Sequence, residues 1–312
     1  MRIFVAGATG VIGRPIVRAL AGRGHEVTGS TTRPDGFKVV EGLGGRPVVM
    51  DGLDESAVRR VIVEVEPEVV INEMTSLAVS SSDYGSWLAV TDRLRNEGTK
   101  AVMTAAQEAG ARRVISQSGA YMIEPGAGPS DEDSPPYVQG PGAVGAHVRA
   151  TVAGEEKVLD TPGVEGLVLR YGFFYGEGTA LGPDGDWAKA VQVGELPVVG
   201  DGGGCFPFIH VDDAVSATLL AVENGDPGIY NVVGDEIAPQ SDWIPYLAEL
   251  LGAPKPGRVS ADEAAILVGP QAVYYGTQLR PVSNDKAKAK LGLALEHPSW
   301  REGFRVVFGS GR

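Results

Sequence analysis

Cysteine is almost missing from this chain of 312 residues, where Cys205 stands alone. One thiol excludes an intramolecular disulfide and any zinc or iron–sulfur site built on cysteines. Long apolar runs are missing as well, and none approaches the roughly 18 residues that span a bilayer. The opening stretch MRIFVAGATGVIG is broken by glycines and carries no leader-cleavage pattern, so the cytoplasm is the expected location. Positive charge is scarce: 27 Lys and Arg face 40 Asp and Glu, a formal net charge of −13. Such a surface repels phosphate backbones and anionic headgroups, so neither nucleic acid nor membrane is an expected partner. A locally basic pocket for one small anion remains compatible with that charge. Histidine is limited to four residues, and in sequence His25, His210 and His297 stand apart from one another and from His147. No spacing suited to a metal emerges. His210-Val211-Asp212-Asp213 reads as a strand end followed by a helix cap.

What the chain has in quantity is glycine, 44 residues against 21 prolines, which suits a fold with many tight βα turns. Short β-rich runs at 2–6, 26–30, 47–50, 69–72, 113–117 and 166–170 alternate with helical patterns. The clearest helical patterns cover 11–21, 87–109 (ended by Gly110) and 144–159. Nearly continuous apolar strands between amphipathic helices predict an α/β fold, a Rossmann-type doubly wound parallel sheet covered on both faces. The second half is richer in Gly, Pro and aromatics and loses the steady alternation. The expected division is a dinucleotide-binding domain at 1–172, rejoined by 205–233, with 173–204 and 234–312 forming mainly a smaller substrate domain.

The first strand runs straight into Gly7-Ala8-Thr9-Gly10-Val11-Ile12-Gly13 and then a helix. Glycines at this spacing let the backbone turn sharply, approach a pyrophosphate, and seat the helix close to the strand. The second strand ends in Ser30-Thr31-Thr32-Arg33, where an acid would hold the ribose hydroxyls of NAD. Hydroxyls followed by a guanidinium suit a 2′-phosphate instead, so NADP is expected over NAD. After the third strand, Asp51-Gly52-Leu53-Asp54 offers a carboxylate for the adenine amino group and Leu53 to cover the ring. Asp54 also suits the cap of the next helix.

These residues, with SQSGAY, RYGFFYGEGT, FIHVDDAV, GIYNVVGDE, SNDKAKAKLGL and PSWREGF in order, resemble the extended short-chain dehydrogenase/reductase superfamily. That group includes nucleotide-sugar epimerases, dehydratases and reductases of small carbonyls. The resemblance implies that Gly7, Thr9, Gly10, Val11 and Ile12 lie along the pyrophosphate, with Arg33 on the 2′-phosphate. It places Asp51, Gly52 and Leu53 at the adenine, and Met74, Thr75 and Ser76 along the riboses. Tyr171, Gly172 and Phe173 would flank the nicotinamide carboxamide, and Asn96 would be a structural asparagine. A homodimer through sheet-flanking helices is the expectation by analogy.

The family's chemistry usually rests on a Ser or Thr, a Tyr, and a Lys four residues after the Tyr. Hydride transfer to a carbonyl leaves an alkoxide that needs a proton, and an unassisted phenol is a poor acid near neutral pH. None of the nine tyrosines here has Lys four residues later. Aligning Glu155 with the family's downstream acid puts His147 at the Tyr position and Thr151 at the Lys position, and a one-residue slip would put Val148 and Val152 there. Ser118 remains as the residue to polarise a substrate oxygen, with His147, Tyr121 or Tyr137 as candidate proton sources. The reading favoured is an NADP-dependent oxidoreductase acting on a small carbonyl. Redox-neutral epimerase, lyase or cyclase chemistry and a non-catalytic dinucleotide sensor stay open. Phe173, Phe174, Trp187, Phe206, Tyr274 and Tyr275 are expected either to line a cleft for a ring-bearing molecule or to fill the core.

Overall fold

The computed structural model describes residues 1–76 and 84–309; the last three residues of the expected substrate segment therefore lie outside it. The first half runs β1 (Arg2–Ala6), α1 (Gly13–Gly22), β2 (Glu26–Thr31), α2 (Phe37–Gly42), β3 (Arg46–Val49), α3 (Glu55–Val65) and β4 (Val69–Asn72). It continues through α4 (Tyr84–Arg93), a π-helical turn (Leu94–Gly98), α5 (Thr99–Glu108), β5 (Arg113–Gly119), α6 (Ala143–Leu159), β6 (Glu165–Tyr171) and β7 (Phe173–Tyr175). The remainder is α7 (Asp186–Gln192), β8 (Val198–Val199), β9 (Phe208–His210), α8 (Val211–Glu223), β10 (Gly228–Val232), α9 (Gln240–Leu251) and β11 (Arg258–Val259). Three helices close the described chain: α10 (Ala261–Leu267), α11 (Pro270–Val273) and α12 (Trp300–Phe308).

Seven strands form one parallel sheet in the order β10-β6-β5-β4-β1-β2-β3. In β1, Ile3 and Val5 join one core with Ile16, Leu20 and Leu219, while Phe4 and Ala6 join another with Val58, Ile62 and Val102. Both faces are therefore covered, which is why the strand reads as an unbroken apolar run. Chain order reverses between β1 and β4, and at such a switch point the crevice for a ligand opens beyond the strand ends.

The segment expected to return to this sheet does so through β10, which pairs with β6. Its other strand, β9, pairs instead with β7 in a separate two-stranded sheet. A third core of Phe206, Phe208, Trp243, Trp300 and Phe304 gathers around that pair. The single long helix expected over 87–109 is two helices joined by the π-helical turn.

Candidate functional site

Gly7 adopts φ +82, and a Cβ on it would lie 2.8 Å from the Glu73 carbonyl oxygen. At Gly13 a Cβ would sit 2.2 Å from the Gly7 carbonyl oxygen, so the turn tolerates no side chain there. Gly10 tightens the turn by donating its N–H to the same oxygen at 3.0 Å. From β2, Ser30 accepts the Gly7 N–H at 3.3 Å on its hydroxyl and the Ala8 N–H at 3.1 Å on its carbonyl. Among the described residues no side chain caps α1, and no acid lies in its first turn, so the positive end of the helix dipole is left for an anion. Gly10 and Val11 are exposed and Thr9 half-buried around that end, with Ile12 buried behind them. A cradle emptied of Cβ atoms beside free positive dipole fits a dinucleotide pyrophosphate.

Arg33 extends from the end of β2 with 79% of its side chain exposed, approaching Asp35 at 3.9 Å. Asp51 folds back to accept the Leu53 N–H at 2.9 Å, and Asp54 caps α3 by accepting the Ala57 N–H at 3.0 Å. Gly52 is buried, and Leu53 and Met74 pack into one core cluster. Thr75 is exposed, and Ser76 donates its N–H to Thr91 Oγ1 at 3.1 Å. Tyr171 lies deeper than the nicotinamide role implies. Its hydroxyl meets Thr218 of α8 at 2.7 Å and donates to Glu73 at 3.3 Å, so the side chain belongs to the core. Burial pushes the Glu73 carboxyl up to about 8, against the opposing hydrogen bond from Tyr171. Gly172 donates to Val232 at 3.0 Å, and Phe173 stacks on Tyr121 with ring centroids 4.3 Å apart.

The remaining polar residues converge on α6. Glu155 is buried and accepts from Arg170 at 2.8 and 2.7 Å and from the Ser118 hydroxyl at 2.5 Å. The hydrogen of Ser118 is therefore committed to a carboxylate inside the protein. Two turns earlier, His147 is buried between α4 and the π-helical turn. Its Nδ1 contacts Asp92, and its Nε2 lies 2.9 Å from Arg95 Nη1. A guanidinium donates and never accepts, so Nε2 is the acceptor there and the proton of the neutral ring sits on Nδ1, facing Asp92. Arg95 Nη1 also donates to Thr151 at 3.3 Å, and Arg95 Nε is buried with no hydrogen-bond partner among the described residues. Burial, more than any neighbour, pushes the His147 pKa below its ordinary value; the Asp92 hydrogen bond opposes this and the Arg95 charge adds to it.

This contact depends on two features of the backbone. At Gly154 a Cβ would lie 2.0 Å from the Arg95 carbonyl oxygen, so glycine alone lets the helices approach this closely. The π-helical turn then rotates Arg95 inward and leaves Asn96 exposed. A cavity of about 290 Å³ opens beside His147, with Leu88, Tyr121, Gln271, Tyr274 and Tyr275 among its walls. Tyr274 donates its hydroxyl to the Ile123 carbonyl at 2.6 Å, and burial raises its pKa above the ordinary phenol value. Tyr137 packs on the Tyr274 ring at 5.3 Å.

Residues 3–233 match the profile of the NAD dependent epimerase/dehydratase family. The chain belongs to this family. It is 43% identical over 304 residues to a 3-diazoavenalumate denitrifying reductase of Streptomyces sp, covering 97% of this chain and 99% of that one. The fold of a human epimerase family protein with NADPH superposes at TM-score 0.75 and 20% identity, over 99% of this chain and all of that one. A UDP-glucose 4-epimerase of Thermus thermophilus in complex with NAD gives 0.75 at 23% identity, over 99% and 98% of the two chains. The protein is accordingly an NAD(P)-dependent enzyme of the oxidoreductase and epimerase/dehydratase type.

Against the epimerase/dehydratase pattern, two expectations need revision. Asn96 does not take the structural asparagine's part, because it faces solvent while Arg95 fills the interior. His210 and His297, distant in sequence, lie with ring centroids 3.9 Å apart, near Asp212. The His210 Nδ1 already accepts the Asp212 N–H at 3.2 Å as the cap of α8, and Asp213 pins the 296–297 backbone at 2.7 and 3.0 Å. The cluster thus joins two segments of the fold. Among the expected aromatics, Tyr274 and Tyr275 face the cavity, whereas Phe206 is buried in the third core with Phe173 and Trp187 packed against it. Phe174 packs on Tyr171 at 5.4 Å. Sequence reading missed Asp92, Arg95 and Glu73. The mid-helix Gly98 is the one local sign that the helix breaks near Arg95.

Proposed function

We propose that this enzyme is an NADP-dependent reductase whose substrate takes up hydride without needing a proton from the protein. The reactive group that fits is a diazonium carbon on a flat, ring-bearing carboxylate. One observation carries this reading: where the family places its proton donor, both nitrogens of His147 are engaged, and the Ser118 hydroxyl is engaged with Glu155. A carbonyl reduced there would be left as an alkoxide beside His147 and Ser118, whose hydrogens are already engaged. A diazonium carbon behaves differently. Its C–N bond breaks as the C–H bond forms, the C–N electron pair leaves in dinitrogen, and no anion remains to be protonated. The name of the Streptomyces relative records a diazo carboxylate and a reduction that removes nitrogen. The aromatic walls of the cavity, Tyr121, Tyr274 and Tyr275, suit a flat ring.

Gly7, Thr9, Gly10, Val11 and Ile12 would hold the pyrophosphate, Asp51, Gly52 and Leu53 the adenine, and Arg33 the 2′-phosphate that selects NADP. A reduced nicotinamide bound there supplies the hydride. The test uses NADPH deuterated at nicotinamide C4 and a diazotised amino-hydroxycinnamic acid. Deuterium on the ring carbon and one dinitrogen released per NADPH oxidised are expected. Ring hydrogen drawn from solvent would sink the reading, as would turnover of aryl aldehydes to alcohols with the diazo probe untouched.

A further inference from the structure

The position of Arg95 carries a consequence for specificity, resting on the reading above that no proton is donated. We propose that Arg95 is a specificity-determining, positioning residue: by filling the acceptor site at His147 Nε2, it keeps a latent Asp92–His147 acid–base pair from donating a proton. Asp92 holds one ring nitrogen as a carboxylate does when it orients a general acid or base. The other nitrogen would then be the working atom, and the ring is part of the cavity wall. Arg95 occupies that working atom at 2.9 Å. Protonating Nε2 would set an N–H against a guanidinium N–H, so the imidazolium is disfavoured by geometry and by like charge together.

The location of the cation supports the same reading. Where the Lys of the family pattern would stand, this chain has Thr151, whose hydroxyl accepts from Arg95 Nη1 at 3.3 Å. The positive charge has thus moved from α6 to the π-helical turn after α4, carried by a group that does not give up its proton. Among the described residues, the charged groups facing His147 are Asp92 and Arg95. Thr151 on its own helix, Gln271 of α11 and the rings of Tyr121 and Tyr274 complete its surroundings.

Removing the guanidinium frees Nε2. In an Arg95→Gln variant, hydride addition to an aryl aldehyde would break the C=O π bond, and the alkoxide would take the Nε2 proton of an imidazolium oriented by Asp92. Solvent then restores that proton. The experiment is histidine nitrogen NMR on the apoprotein across about pH 5 to 8, with His147→Gln to assign the signal. In the wild type, His147 is expected to stay neutral with its proton on Nδ1 throughout. Arg95→Gln should bring its titration into that window, and Arg95→Lys, which keeps a cation, should restore most of the wild-type behaviour.

A wild-type His147 that titrates at its ordinary value would overturn the proposal, and so would an Arg95→Gln spectrum like the wild type. If Arg95→Gln does not fold, Asp92→Asn answers the same question: Arg95 still fills Nε2, so the proton should stay on Nδ1 and the ring should stay neutral, whereas a ring that takes a proton on Nε2 would overturn the proposal. Kinetically, Arg95→Gln should reduce aryl aldehydes at least about tenfold faster than wild type (about 1.4 kcal/mol), and a second His147→Gln change should abolish the gain. A gain that survives in the double variant sinks the proposal. Should the NMR behave as stated while the diazo probe is not turned over, the assignment of Arg95 stands and the reductase reading falls.

Discussion

In the β1–α1 turn, three glycines within seven residues fix the path, each at a point where a Cβ would come within 2.2 to 3.2 Å of a carbonyl oxygen. On the α4–α6 face, the decisive contacts join residues 52 to 56 positions apart in the chain. The first region is specified by the residues that occupy it. The second exists only because Gly154 admits the Arg95 backbone and a π-helical turn aims the guanidinium inward. The proposed phosphate cradle is therefore written locally and the surroundings of His147 at a distance, so the two respond to mutation in different ways.

The largest effect should come from breaking the local region. Gly13→Val drives a side chain into the Gly7 carbonyl oxygen, and NADPH affinity, read by calorimetry, should fall by at least about a hundredfold (about 2.7 kcal/mol). Retained affinity would mean that the turn is not the phosphate site. The distant region is broken at its buried ion pair. Arg170→Met leaves Glu155 as an unpaired buried carboxylate, which should cost roughly 3–5 kcal/mol in denaturant unfolding. Paired replacement of Arg170 and Glu155 by apolar residues should recover much of that loss.

Between the two regions lies Glu73, whose backbone borders the glycine turn and whose carboxyl is pushed up to about 8 by burial. The folded protein keeps a proton there that the unfolded chain releases near the ordinary carboxylate value. Stability from this site is thus complete at acid pH and declines as pH rises to about 8. Glu73→Gln should flatten that decline, raising the melting temperature near pH 8 by several degrees, roughly, with little change at acid pH. An unchanged pH profile would show that Glu73 ionises normally. The smallest effect sharpens cofactor choice. Arg33→Ala should weaken NADPH roughly tenfold or somewhat more while leaving NADH unchanged, as compared by fluorescence titration. Equal losses for both nucleotides would remove Arg33 from the 2′-phosphate.

Much of the β1–β4 half of the sheet and of its glycine turn was legible in the sequence. β1, β4 and the glycine turn match the apolar runs and glycine spacing to within a residue or two, because strand burial and positive φ are properties of short segments. Asp54 was readable as a cap for the same reason. Other parts were not legible. Ser118, a hydroxyl at a strand end, looks free in sequence, yet Glu155, 37 residues later, takes its hydrogen. Tyr171 looks available beside a loop, and α8 covers it. A helical periodicity cannot show whether residue 95 or 96 points inward when a π turn shifts the register between them.

By itself, the sequence determined the doubly wound sheet, the glycine-rich turn and the absence of any Tyr with Lys four residues on. These depend on periodicity, on backbone freedom and on which residues are present. The tertiary structure alone decided which protons are free, since that is settled by hydrogen-bond partners from helices that meet only after folding. Asp92 and Arg95 sit on opposite sides of one imidazole in the packed molecule, and no spacing along the chain announces it.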